Sequence, residues 1–487
     1  MVMEMNDNNN LFLRFLQFEN QKKYFDIEIE GFKIWEIMRT YIFIDIENYF
    51  NDMGSLFPNK NKMPKHRQLT FNILKNSLKI FFLKKQDYLF LNNPRRVKQD
   101  DGKYYCIYTD LYIDLLIDKK CITFEDPYWA LSKTSYISHY EPVKTDNICY
   151  LDIVERIVKF KSIFYKKSNS YKQLHKAIYS IKKEIEGEFK CDLSYIFDLS
   201  EKQVIYMILS KKIYNKALKK MQPKAILEFY DVFPSKIVIN KIAKEMQIPI
   251  IEIQHGVVTE QNPLFLKYLD LNRNYDCIPD YVLSYGKKLL NTKYMPINKN
   301  RIYYTGSLFL EKKKEEYKNI KSDKKNILFV SQCNLANFIS NCASELADLL
   351  KDKNEYQIIY KMHPYEIGKN FECLKKKNIT IIDNREKDLY YYQSKSILQV
   401  GIYSTGVYEG LDFGLDTFVL NHPYGTKDVK KVLKEGSKIH YVNDAREIFN
   451  MLNNLELNKN TDNEYWSKVD KDNIKNIILS LSKKDTN

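Results

Sequence analysis

No two cysteines in this sequence form CxxC, and no cysteine–histidine group has the spacing of a zinc site. The eight cysteines stand singly, which excludes a disulfide framework or zinc ribbon and fits a reducing cytosol. No stretch reaches the roughly 18 apolar residues of a membrane-spanning helix, so none is expected. The opening MVMEMNDNNN lacks the basic-then-apolar order of a secretory signal. There is no GxxxxGK[ST] and no GxGxxG, so neither a P-loop nor a dinucleotide fingerprint is present. No carboxylate pair of the DxD kind sits at a strand end. No metal and no cofactor are therefore expected. No internal repeat and no nucleic-acid-binding module is visible, and nucleic acid is not an expected partner.

The chain has 487 residues, which implies two or three domains. Hydrophobic residues make up 44%, enough for sizeable cores. The net charge of +15 favours an anionic partner, or equally reflects lysine usage on a solvated surface.

The pattern changes along the chain. Residues 1–85 read as a helical region. Within it, Lys60–Lys85 carries eight basic residues and no acid, with Phe71, Leu74, Leu78 and Phe81 on one helical face. Such a helix can lie on an anionic membrane or pack on its own domain. From Asp87 the texture becomes α/β. DYLFLN, YYCIYTD, AILEFYD, IPIIEIQHG, DYVLSYG and RIYYTGS read as strands, with a broken helical stretch over Tyr171–Lys220. After the charged segment FLEKKKEEYKNIKSDKK a second alternation begins: NILFVSQ, YQIIYKMHP, ITIID, SILQVGIYSTG and DTFVLN. Apolar, nearly continuous strands between helices predict parallel sheets. The expected organisation is a helical region (1–85), a first Rossmann-like domain (86–312) and a second (313–487), the two facing across a cleft.

In such sheets ligands bind at the carboxyl ends of strands. In the second domain these ends carry Ser331 and Gln332, then Lys361, His363 and Pro364, then Ser404, Thr405, Gly406 and Glu409. Hydroxyls and free N–H groups at a helix start can hold phosphate, and Gly406 allows close approach. The same Ser-Thr pair reads equally as a plain helix cap. His363 can donate to a phosphate oxygen, Lys361 adds charge, and Pro364 forbids continuation of the strand. Glu409, expected in the first turn of the helix that follows, on the cleft side, suits ribose hydroxyls. The set points to a nucleotide mono- or diphosphate. In the first domain His255, within Gln254-His255-Gly256, and the carboxylates Glu228 and Asp231 stand at strand ends, and Asp101 stands in an early Asp-Asp-Gly loop. Any of these four can take a proton from a hydroxyl. A turn histidine and an ordinary turn are the alternatives for the histidine and for Asp101.

The order QHG, KMHP and STGxxE on two Rossmann-like domains resembles bacterial GT-B glycosyltransferases of capsule and lipopolysaccharide synthesis. The His-Pro and Ser-Thr motifs are similar to those of sialyltransferases and polysialyltransferases, where they hold CMP. Asp100-Asp101-Gly102 matches the sialyltransferase base motif. The order also resembles that of Kdo transferases and of teichoic-acid glycerophosphotransferases, whose tryptophan-histidine-glycine corresponds to Gln254-His255-Gly256. The resemblance spans about residues 87–470. It implies a metal-independent glycosyltransferase with a nucleotide-sugar donor, a CMP-sugar, and an oligosaccharide or glycolipid acceptor. It implies work in the bacterial cytoplasm, at the inner face of the membrane if Lys60–Lys85 docks there. A CDP-alditol glycerophosphotransferase and a non-catalytic polysaccharide-binding protein remain open.

Overall fold

Short apolar runs rich in isoleucine, leucine, valine and aromatics become strands buried on both faces once helices cover the sheet. The computed structural model describes residues 8–50, 70–93, 96–99, 101–127, 139, 141–229, 233–320, 325–332, 335–363, 366, 369–383, 387–423, 425–452 and 465–483. The chain divides into two units. Unit 1 comprises Met1–Ser284, Thr292–Tyr304 and Asp470–Asn487; unit 2 comprises Tyr285–Asn291 and Thr305–Val469.

Unit 1 opens with α1 (Asn8–Gln21), a hairpin of β1 (Glu28–Ile29) and β2 (Phe32–Lys33), α2 (Trp35–Phe50) and α3 (Phe71–Leu78). Then come β3 (Tyr88–Asn92), a small antiparallel hairpin of β4 (Arg96–Lys98) and β5 (Tyr104–Cys106), α4 (Asp110–Leu115), β6 (Cys121–Glu125) and β7 (Ile148–Tyr150). Three helices follow: α5 (Asp152–Tyr165), α6 (Asn169–Phe189) and α7 (Ser194–Met221). The rest is β8 (Ala225–Phe229), α8 (Pro234–Glu245), β9 (Ile250–Ile253), β10 (Tyr281–Ser284) and β11 (Ile302–Tyr304). The main sheet has the order β11-β10-β9-β8-β3-β6-β7, and every pairing is parallel. Strands β3, β8 and β9 are buried throughout.

The helical N-terminal region is tied into this unit by a buried ion pair. Arg39 meets Glu19 and also donates to the carbonyls of Leu264 and Lys267, both at 2.8 Å. Glu36 accepts the main-chain N–H groups of Asp276 and Cys277. The first helices thus hold the long loop that follows β9.

Unit 2 contains α9 (Leu308–Tyr317), β12 (Lys325–Val330), α10 (Ala336–Leu349), β13 (Tyr356–Lys361), β14 (Ile379–Ile382), α11 (Leu389–Lys395), β15 (Ser396–Gly401), α12 (Thr405–Asp412), β16 (Asp416–Leu420), α13 (Thr426–Val432), β17 (Ile439–Val442) and α14 (Ala445–Leu452). Its parallel sheet runs β14-β13-β12-β15-β16-β17. Ile327, Phe329, Leu346, Tyr360, Val400 and Phe418 belong to its core. The last helix, α15 (Lys471–Leu481), returns to unit 1, where Lys475 pairs with Asp118 at 3.0 Å.

Counting each sheet's strands in chain order, both sheets follow 3-2-1-4-5-6, and unit 1 adds a seventh at its edge. This is the Rossmann order, with a switch point between strands 1 and 4. The fold is therefore α/β, two Rossmann-like doubly wound units with a helical N-terminal region, the GT-B-like composition read from the strand pattern. Three details differ from the sequence reading. YYCIYTD gives only the three-residue β5, outside the main sheet, while β6, β7 and β17 were not foreseen. Residues 60–69 lie outside the described residues, and the basic helix is seen as α3 with a 3-10 turn over Lys79–Phe81. The helical region and α15 both count with unit 1, whereas a separate region and a C-terminal placement were expected.

Candidate functional site

In unit 2 the switch point lies between β12 and β15, and in such sheets ligands bind outside the carboxyl ends of the strands there. Ser331 and Gln332 follow β12, and Ser404, Thr405 and Gly406 join β15 to α12. These ends touch. A Cβ on Gly406 would lie 3.4 Å from Val330 Cγ1 and 2.5 Å from Leu389 Cδ2, so a larger residue there would require the Leu389 side chain to move. Ser404 occupies the cap position of α12 without making a side-chain cap bond, so its hydroxyl is not spent on the plain capping role. The Gly406 carbonyl accepts from Gln393 Nε2 at 2.7 Å, which fixes this first turn.

One strand away, β13 ends at Lys361. This lysine is buried, and burial pulls its ammonium down to about 8, against the attraction of Asp383, Asp388 and Glu366. Its Nζ donates to the Met362 carbonyl at 3.3 Å. His363 is half-buried, and burial, then Lys361 and Lys369, hold its imidazole below the usual value. It is thus a neutral ring at pH 7, one N–H donor in a positive setting. An arriving phosphate would reverse both shifts. Pro364 lies outside the described residues.

Glu366 was not singled out from the sequence, yet it organises this loop. Fully buried, it accepts the main-chain N–H of His363 at 2.9 Å through one oxygen and the Ser331 hydroxyl at 2.9 Å through the other. Ser331 also meets the Tyr360 hydroxyl at 2.8 Å. The strand-12 and strand-13 ends are therefore latched by one carboxylate. A second histidine was also missed. His422 follows β16 and stands before Pro423, the same His-Pro pair as in KMHP. Its ring packs edge-on against Phe338 of α10 at 5.1 Å.

Glu409 stands beyond the first turn of α12, not in it as expected. It accepts from the Tyr390 hydroxyl at 3.3 Å, and burial, reinforced by Asp388, lifts its carboxyl to about 7. Near neutrality it is thus divided between its neutral and charged forms, with one hydroxyl partner in place.

In unit 1 the switch point lies between β3 and β8. Phe229 ends β8, and Tyr108 stacks on it at 4.5 Å. The His255 ring meets Tyr108 edge-on at 6.2 Å. The half-exposed His255 is framed by Gln254, whose Oε1 accepts from Ser284 at 2.7 Å and whose Nε2 donates to Gly256 at 2.7 Å. Gln254 thus straps the ends of β9 and β10 and closes the turn beneath the histidine. Glu228 is buried on the α8 side, accepting from Asn240 Nδ2 at 2.8 Å, and burial raises its carboxyl. Asp101 is exposed in the β4–β5 hairpin loop, bonded to Lys103 N at 2.9 Å and the Tyr105 hydroxyl at 2.8 Å. Asp231 lies outside the described residues. His255 and the β8 end are thus brought together around Tyr108, while Asp101 is engaged in its own turn.

Beyond the expected residues, His139 lies between two carboxylates, Glu125 at 2.8 Å and Asp152 at 2.7 Å, and stacks on Tyr150 at 3.7 Å. Arg96 joins Glu125 and Asp110 to the same buried network. No sequence spacing marks it, because its members come from five separate segments. Among the described residues no group of three or more His, Cys, Asp or Glu could hold a metal ion, and no helix is long and apolar enough to cross a membrane.

No family model matches the chain, and no curated protein does. Among solved structures, the chain is similar to UDP-GlcNAc 2-epimerase from Methanocaldococcus jannaschii, at 12% identity over 81% of this chain and 99% of that one, with a TM-score of 0.49. It is similar to UDP-GlcNAc 2-epimerase from Neisseria meningitidis bound to UDP-GlcNAc, at 14% identity over 81% and 98%, with a TM-score of 0.46. It is also similar to Acinetobacter baumannii MurG, at 10% identity over 81% and 99%, with a TM-score of 0.42.

Proposed function

We propose that this chain is a glycosyltransferase that moves a sugar from a nucleotide-activated donor, a CMP-sugar, to a surface-polysaccharide or lipooligosaccharide acceptor at the cytoplasmic side of a bacterial membrane. One observation carries the reading: polar groups suited to phosphate stand at the strand ends on either side of β12 at the unit 2 switch point, Lys361 with His363 at the end of β13 and Ser404–Gly406 after β15, while Ser331 at the end of β12 is held by Glu366. Lys361 and His363 meet phosphate charge. Ser404, Thr405 and the N–H groups of the first turn of α12 donate to its oxygens. Glu409 faces ribose hydroxyls, and Gln332 and Pro364 shape the mouth.

The acceptor is assigned to unit 1. There the acceptor oxygen attacks the anomeric carbon, His255 takes the hydroxyl proton, and the bond from that carbon to the phosphate oxygen breaks. The nucleotide leaves with the bonding electron pair, its charge met by the unit 2 donors. Glu228, Asp231 and Asp101 are the reserve bases. No step requires a metal.

A CDP-alditol glycerophosphotransferase would use the same phosphate donors, and a polysaccharide-binding protein would use none. A thermal-shift panel of CMP, CDP, UDP and GDP separates them. A ligand that binds only the folded state at 100 times its Kd adds about 2.7 kcal/mol. CMP should stabilise most. CDP ahead of CMP favours the alditol reading, UDP ahead moves the donor to a UDP-sugar, and no stabilisation by any of the four removes the transferase reading.

A further inference from the structure

We infer that α3 and α5 together form a docking surface for an anionic membrane. The two helices pack against each other, and each turns apolar side chains to solvent. On α3 and the segment after it, Phe71 is 79% exposed and Phe82 77%, with Leu74, Leu78 and Phe81 also exposed. Only Ile73, Ser77 and Ile80 of this stretch turn inward. On α5, Val154 and Val158 are buried, whereas Phe160 is 63% exposed, Ile163 58% and Phe164 61%. Phe160, Ile163 and Phe164 follow i, i+3, i+4 spacing, so they share one helical face, and the two phenylalanine rings touch edge-on at 5.5 Å. Two neighbouring helices with outward aromatic faces go beyond the scattered apolar residues of an ordinary surface.

The charge around these faces identifies what they meet. From Thr70 to Gln86 there is no acid, and Lys75, Lys84 and Lys85 are exposed. From Arg156 to Lys183 nine lysines and arginines occur without an acid, among them the exposed Lys159, Lys161, Lys166 and Lys167. Glu141, which accepts from Asn72, is an acid beside α3. Apolar side chains that enter a bilayer, set among lysines that reach its phosphates, are the composition of an interfacial helix. A second copy of this chain would bring like charge against like, which disfavours self-association through these faces. The sequence pointed to Lys60–Lys85 alone; the contribution of α5 emerges only from packing. The inference does not rest on the transferase reading, because lipid binding is measured without turnover.

The test is flotation of the full chain with vesicles of pure phosphatidylcholine and with vesicles containing phosphatidylglycerol. Binding is expected to the anionic vesicles only, and to fall about tenfold or more in about 0.5 M NaCl. The pairs F71S/F82S and F160S/F164S should each weaken binding by about tenfold or more, with an unchanged unfolding midpoint. Should a serine pair unfold, K161E/K166E carries the same test, since both lysines face solvent. Failure of the wild-type chain to float with anionic vesicles overturns the inference. So does undiminished flotation of every folded variant, or a dimer in sedimentation that the serine pairs abolish.

Discussion

The carboxylate of Glu366 joins the main-chain N–H of His363 to the hydroxyl of Ser331, at 2.9 Å on each side. It ties the end of β12 to the loop after β13, and so sets where the His363 ring stands. Charge-assisted bonds of this kind are worth about 1.5–3 kcal/mol each. Glu366→Gln should therefore weaken CMP binding by about tenfold or more in calorimetry, with most of the loss in the enthalpy of binding. An unchanged Kd in a folded variant would show that the loop keeps its shape without the latch.

His363→Ala should weaken nucleotide binding by about 10- to 150-fold, the equivalent of one hydrogen bond to a charged group. His255→Ala should leave nucleotide affinity near wild type and lower kcat by about 10²–10⁴. Equal loss of affinity in the two variants would move His255 to the donor. Full turnover in His255→Ala would pass the base role to Glu228, Asp231 or Asp101.

Lys361 gives the proposed donor site a pH signature. Its ammonium is pulled down to about 8, so it is charged below that pH and neutral above it. Phosphate binds the cation. Affinity should therefore be nearly flat through neutrality and fall by up to about tenfold per pH unit above 8. Lys361→Met should bind more weakly at pH 7 and lose this alkaline fall. A wild-type affinity that stays level to pH 9.5 would remove Lys361 from the phosphate.

The buried histidine of unit 1 predicts a second dependence of the same sign, in stability. Glu125 and Asp152 hold the His139 imidazolium above its usual value, against burial. A raised histidine stabilises fully below its unfolded value of 6.5 and loses that stabilisation as pH rises through the folded value. The urea midpoint of the wild-type chain should fall from pH 6.5 upward into the alkaline range. His139→Gln should be less stable by about 3–5 kcal/mol at pH 6, because it strands buried carboxylates, and it should lack that slope. A parallel slope in both proteins would assign it elsewhere.

What the sequence made legible follows from local chemistry. NILFVSQ, YQIIYKMHP and SILQVGIYSTG each carry their apolar run and their polar terminus in one short string, so strand and site were read together. Glu366 was missed although HPYE spells it out, because its role depends on Ser331, 35 residues away and on another strand. His139 was missed for the same reason, as its two carboxylates lie on β6 and at the start of α5. CITFE, ICY and IHYV are too short to be distinguished from loops by periodicity, and only their place in a sheet makes them strands. Phe160 and Phe164 were not singled out, because α5 carries apolar residues around most of its circumference and only the packing shows which of them stay outside.

The path of the chain bears on how this protein can be taken apart. It passes from unit 1 to unit 2 and back twice, at residues 284–292 and 304–470. No single cut yields two whole units. A fragment ending at Tyr304 would lack α15, along with the partner of Asp118, and would carry Tyr285–Asn291 without the unit to which that segment belongs. A fragment beginning at Thr305 would lack Tyr285, which packs on Trp466 at 5.0 Å. Independent production of unit 2 would need a rewired gene, with the 285–291 segment restored by a linker and the last helix left behind.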